Sequence, residues 1–94
     1  MFDIRLQEGR GLVLTGRLDA SQTTKASTVL KAVESSMALD LSDLEYVSSA
    51  GIGVLVQTQK RLQSTGHSLK LVNVQPRVRA IFHYAALESY FGID

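Results

Sequence analysis

Residues 40–57 read DLSDLEYVSSAGIGVLVQ, and the fold turns on how this stretch divides. From Met37 to Leu41 runs a short apolar segment, with turn-forming Ser42 and Asp43 behind it. Its brevity fits a central strand covered on both faces. Ile52, Leu55, Val56 and Leu62 then recur on one face of a helix, which Gly66 ends because glycine accepts the left-handed cap. The joint between strand and helix is a pair of adjacent serines, Ser48 and Ser49. Downstream, Leu69 to Val74 predicts a strand, Pro76 suits a first helical turn, and Val78, Ile81, Phe82 and Ala85 mark a third helix. Tyr90 to Ile93 fits neither period. Upstream, Phe2, Ile4 and Leu6 alternate with Asp3 and Arg5, and Gly9-Arg10-Gly11 turns the chain into Leu12-Val13-Leu14, a hairpin. The segment Ala20 to Ser35 places Ala26, Val29, Leu30 and Val33 at helical spacing, with Asp19 or Ser21 as its cap. The order hairpin, helix, strand, helix, strand, helix predicts an α/β fold: a small mixed sheet with parallel crossovers and helices packed against it.

The chain's 94 residues suffice for one core and not for two, so residues 1–94 are expected to form a single domain. A formal net charge of +1 argues against a dedicated nucleic-acid binder, which needs a dense basic face. With no cysteine, disulfides, thiolate metal sites and thiol nucleophiles are excluded. The opening MFDIRLQEGRG lacks the basic-then-apolar pattern of a leader, and no apolar run is long enough to cross a bilayer. A cytoplasmic protein is expected, with no direct membrane binding.

Several chemistries compete for the serine turn. Serine is a favoured N-cap, and one of the two can fill that role while the other stays solvated; Gly51 and Gly53 then serve close packing. A helix N-terminus also favours negative charge, so a phosphate on the second serine fits there. The nucleophile elbow of a serine hydrolase needs glycine where Val47 stands, and its triad would need His67 or His83. Gly51-Ile52-Gly53 lacks the third glycine of a dinucleotide fingerprint and the lysine of a P-loop. Asp19, Asp40 and Asp43 could meet at strand ends around a magnesium ion, although capping and turn formation also account for them. Lys60, Arg61, Arg77 and Arg79 are expected to be solvated on helical surfaces.

Three blocks, LTGRLDA at residues 14–20, LDLSDLEYVSSAGIGVLV at 39–56 and NVQPRVRAIFHYAALESYF at 73–91, resemble the STAS domain, and within it the bacterial anti-sigma factor antagonists. The resemblance spans essentially the whole chain and implies the STAS fold. It implies that Ser49 is the acceptor of a phosphate, with Ser48 standing where the family commonly has aspartate. If that missing carboxylate helps a kinase position the hydroxyl, phosphorylation is slower here. It further implies that Asp19, Ser48, Ser49, Ala50, Gly51 and Ile52 form the partner surface. The implied function is partner switching: the unphosphorylated domain binds an anti-sigma factor that is itself a serine kinase, a sigma factor is freed, phosphorylation reverses this, and a phosphatase resets it. The domain itself would be no enzyme and carry no cofactor or metal. The alternatives are a constitutive STAS subunit of a transporter or other signalling complex, and more remotely a small serine hydrolase.

Overall fold

The computed structural model describes residues 1–93. Phe2 and Ile4 point inward from β1 (Phe2–Gln7), and Gly9 and Gly11, both at positive φ, turn the chain into β2 (Gly11–Leu18). β3 (Met37–Val47) lies parallel to β2, and β4 (Leu69–Val72) lies parallel to β3, giving a mixed sheet in the order β1-β2-β3-β4. The helices are α1 (Thr23–Leu30), α2 (Ser49–Gln63) and α3 (Pro76–Tyr84), with short 3-10 turns at Ala20–Gln22 and Ser89–Phe91. One face of the sheet, carrying Leu14, Leu18, Leu39, Leu41 and Leu71, buries Leu30, Leu55, Leu62 and Phe82 from the helices in one cluster.

The segments that differ from expectation do so for identifiable reasons. α1 stops at Leu30, well short of Ser35, where the Ala32 and Val33 amides tighten onto the Val29 and Leu30 carbonyls at 3.2 and 3.0 Å, and the Leu30 carbonyl also accepts from the Arg61 guanidinium of α2 at 2.9 Å. β3 does not turn at Ser42-Asp43 but runs on to Val47 through two register shifts against β2. Each shift inserts one residue, which keeps Leu44 and Val47 on the core side. Leu6 is 67% exposed, since β1 is an edge strand that outruns the helices. β4 ends at Val72, before Asn73 at φ 55°. The unassigned Tyr90–Ile93 holds Phe91, fully buried with its ring edge-on to Phe82 at 5.5 Å. Buried Gln59 on α2 bonds both backbone groups of Leu69 and the Tyr90 carbonyl, tying β4 and the final turn to the helix.

The second face of β3 holds a charge. Asp40 is buried beside Val13, accepting from Arg10 Nε at 3.0 Å, the Ser42 amide at 3.0 Å and Asn73 Nδ2 at 3.2 Å. Burial opposes ionisation, but the bonds from Arg10, Ser42 and Asn73 outweigh it and hold the carboxyl well below the usual range. A carboxyl depressed in the folded state contributes stability that is complete above about pH 4 and lost as pH falls further. Replacing Asp40 by alanine strands three donors and is expected to cost about 3 kcal/mol in urea unfolding. Asp40→Asn is expected to flatten the acid limb of the stability curve below about pH 4, an unchanged limb being the contrary result.

Candidate functional site

β2 and β3 end side by side: Leu18 pairs with Val47, and the Ser48 amide donates to the Leu18 carbonyl at 2.9 Å. Beyond that bond β2 leaves through Asp19 and β3 enters α2, so Asp19 and the serine pair emerge from the carboxyl ends of neighbouring strands. Parallel sheets present their sites at this edge.

The two serines have separate positions. Ser48 is the N-cap of α2 in extended conformation, its hydroxyl accepting from the Gly51 amide at 3.1 Å and its carbonyl from the Ile52 amide at 2.8 Å. Ser49, the first helical residue, is exposed, as is Ala50. Gly51 is buried instead, because a Cβ there would come within 2.8 Å of the Leu18 side chain and 2.9 Å of its carbonyl oxygen. Its place in the predicted contact surface is therefore a packing role. Ile52 is half-buried against the core. Gly53 is exposed, and a Cβ on it would meet nothing within 4 Å. Packing explains the first glycine of the pair and not the second.

Asp19 caps the 3-10 turn, accepting from the Ser21 hydroxyl at 2.6 Å and the Ser21 amide at 3.0 Å. The hydroxyl bond lowers its carboxyl below the ordinary range against a desolvation penalty, helped by the amide and by the charge of Arg17. Arg17 itself lies over the Tyr46 ring at 4.5 Å, at the same end of the sheet.

Other expected groupings come apart. Asp40 pairs with Val13 and Asp43 with Thr15, while Asp19 follows Leu18, so Asp19 and Asp40 are roughly 20 Å apart along the strands. Among the described residues no cluster of three metal-binding side chains forms. His67 bonds back to Leu62, roughly 20 Å along α2 from Ser49, and the ring of His83 on α3 bonds Glu88 at 2.6 Å; among the described residues neither histidine is hydrogen-bonded to Ser49. Arg61 and Arg79 are not simply solvated: the first caps α1, the second bonds Glu88 at 3.1 Å.

A family profile described as "Mlab, STAS domain" matches residues 3–92. The chain belongs to the STAS domain family. It is 31% identical over 84 residues, 89% of this chain and 72% of the other, to a putative anti-sigma factor antagonist, BtrV, of Bordetella bronchiseptica. It is 37% identical over 54 residues to the anti-sigma-B factor antagonist of Bacillus subtilis, covering 57% of this chain and half of that protein. These relatives place it with the anti-sigma factor antagonists of the family. The fold also matches the anti-sigma factor antagonist SpoIIAA in its unphosphorylated form, with a TM-score of 0.71 at 22% identity over 96% of this chain and 84% of that one. The phosphorylated form of that Bacillus cell fate determinant gives 0.68 at 18% identity, over 96% and 87%. Among the described residues of this STAS domain no helix is long and apolar enough to cross a membrane.

The three small residues of the turn are expected to respond differently to alanine in urea unfolding. Ser48→Ala loses the cap and costs about 1 kcal/mol. Gly51→Ala costs more, because the Leu18 backbone cannot yield. Gly53→Ala stabilises by about 0.5–1 kcal/mol, since glycine inside a helix is conformationally costly.

Proposed function

We propose that this STAS domain is an anti-sigma factor antagonist whose docking surface is the first turn of α2 with Asp19 beside it, and whose release is triggered by phosphorylation of Ser49. The observation that carries the reading is the division of labour in the turn: the Ser48 hydroxyl is committed to the Gly51 amide, while Ser49 is exposed at the same helix end. The names of the curated relatives support the antagonist role.

The chemistry asked of the chain is small. Ser49 Oγ attacks the γ-phosphorus of ATP held by the partner kinase, a new O–P bond forms, ADP leaves, and a base of the partner takes the hydroxyl proton. ATP and magnesium belong to the partner. Ser48, whose oxygen already caps the helix, supplies no carboxylate to that step. The product adds roughly −1.5 to −2 charges where the contact surface offers Ser49 and Ala50, small uncharged side chains. A central contact contributing 2 kcal/mol or more, once lost, changes occupancy by more than tenfold. The fold survives the change, because a dianion on the first residue of α2 meets the positive end of the helix dipole.

Incubation with the anti-sigma factor kinase and ATP is expected to add one phosphate to the wild type and none to Ser49→Ala, read by intact mass. Wild type and Ser49→Ala should both retain the anti-sigma factor, and the phosphorylated form should release it. Equal phosphate uptake by both proteins sinks Ser49 as acceptor. Retention without any phosphate uptake makes the domain a constitutive docking subunit.

A further inference from the structure

The net charge of +1 conceals a segregation. Neither α1 (TTKASTVL) nor α2 (SAGIGVLVQTQKRLQ) carries an aspartate or glutamate. No acidic residue occurs anywhere between Glu45 and Glu88, a span holding Lys60, Arg61, Lys70, Arg77 and Arg79. The two helices follow the parallel strands β2 and β3, run in the same direction, and are tied at their ends by Arg61 on the Leu30 carbonyl. Between them lie two adjoining hollows of about 190 and 290 Å³ that share Ser27, Lys31 and Val54, and Gln57 and Arg61 line the first. Among the described residues neither Lys31 nor Arg61 is paired with a carboxylate.

Cations at helix C-termini complement the dipole, which accounts for Lys60 and Arg61 one at a time. It does not account for two whole helices without an acid, nor for an exposed mid-helix glycine that the fold does not need. Both features make sense if something acidic is to lie close along this face. We propose that the furrow between α1 and α2 seats a carboxylate-bearing amphipathic helix of the anti-sigma factor, its acidic residues over Lys31 and Arg61 and its apolar side over Val54, with exposed Gly53 beside Val54 at the rim leaving room for it. This rests on the antagonist reading above and extends its contact surface from the first turn along the helix. A helix fits because ridges of side chains at i and i+4 enter such a furrow, and exposed Gly53, next to the lining residue Val54, presents no side chain at its rim.

The charged end of the furrow is separate from the switch. Ser49 lies roughly 18 Å along the axis from Arg61, about two screening lengths in physiological salt, so the two act independently.

The test measures binding of the purified anti-sigma factor retained by the wild-type chain. Lys31→Glu and Gln57→Glu are each expected to lower affinity about tenfold, chiefly through association rate, with the loss shrinking as salt rises from about 50 mM to about 500 mM. Gly53→Ala is expected to lower affinity while raising thermal stability, a pairing that a merely structural role cannot produce. Arg77→Glu on α3, the same change of charge as Lys31→Glu, should leave affinity within about twofold. The losses from Lys31→Glu and Ser49→Asp should multiply. If Lys31→Glu, Gln57→Glu and Gly53→Ala bind as wild type while phosphorylation of Ser49 still releases the partner, the furrow proposal is overturned and the switch stands. If the wild type retains no anti-sigma factor, the switch reading falls and a second probe decides the furrow. That probe is an amphipathic helical peptide of glutamate and leucine titrated into isotope-labelled protein. Amide shifts at Ser27, Lys31, Val54 and Gln57 that vanish in Lys31→Glu sustain the furrow; shifts elsewhere, none, or tighter binding of a short RNA at the same residues overturn it.

Discussion

The bond from the Ser48 amide to the Leu18 carbonyl closes the parallel ladder between β2 and β3, and the position of every candidate residue follows from it. For the ladder to close there, seven residue steps of β3 from Asp40 to Val47 must match five of β2 from Val13 to Leu18. Two single-residue insertions absorb the difference. Inward residues on β3 consequently fall at 39, 41, 44 and 47, two of the steps being three residues long. A strand without them would turn Leu44 or Val47 to the other face and rotate the start of α2 with it.

At the end of that ladder the second serine costs the fold nothing. One hydroxyl satisfies an orphan amide of α2, and the helix needs no more from the turn than that cap and a glycine small enough for Leu18. Ser49 and Ala50 are therefore free of structural duty, which is the condition for a modifiable surface: a group can be added without disturbing what holds the helix in place. Asp19 is held in the same way, its carboxylate kept ionised by the Ser21 hydroxyl at the rim of the sheet.

Much of this was legible in the residues. The alternation of Phe2 and Ile4, the face shared by Leu55 and Leu62, and Pro76 at the start of α3 each carry a strong local period or cap. What escaped depends on long-range pairing. β3 looked finished at Leu41 because the two insertions break its period, and Ser42 and Asp43 are turn formers elsewhere. Asp40 reads as a capping or turn residue until the hairpin brings Arg10 over it. Gln59 looks like one more polar helix residue, although its spacing from Leu55 and Leu62 sets it on the inward face. At the site, the serine pair was legible as one cap and one free hydroxyl. The family resemblance sets the acceptor at Ser49, the Gly51 contact makes Ser48 the cap, and the idle space above Gly53 needed coordinates.

Net charge is a poor guide to what this surface attracts. A chain of charge +1 has little far field, yet screening within about 8 Å makes a partner feel only the residues immediately facing it. In the furrow between α1 and α2 those are Lys31, Arg61, Gln57 and hydroxyls; where α1 meets the sheet, Asp3 pairs with Lys25 at 3.3 Å, and Arg5 and Arg17 lie along the strands. Local composition thus separates two tasks that a single interface must perform. In the proposed complex the cationic end would set how quickly an acidic partner arrives, because charge acts mainly on encounter, and the small-residue end whether it stays, because close packing acts mainly on dissociation. A phosphate placed at the packed end meets Val54, roughly 7.5 Å along the axis, within one screening length, and leaves Arg61 outside it. In the proposed switch, modification at that end would end a complex without removing the attraction that formed it, and the same surface would be ready again as soon as the phosphate is gone.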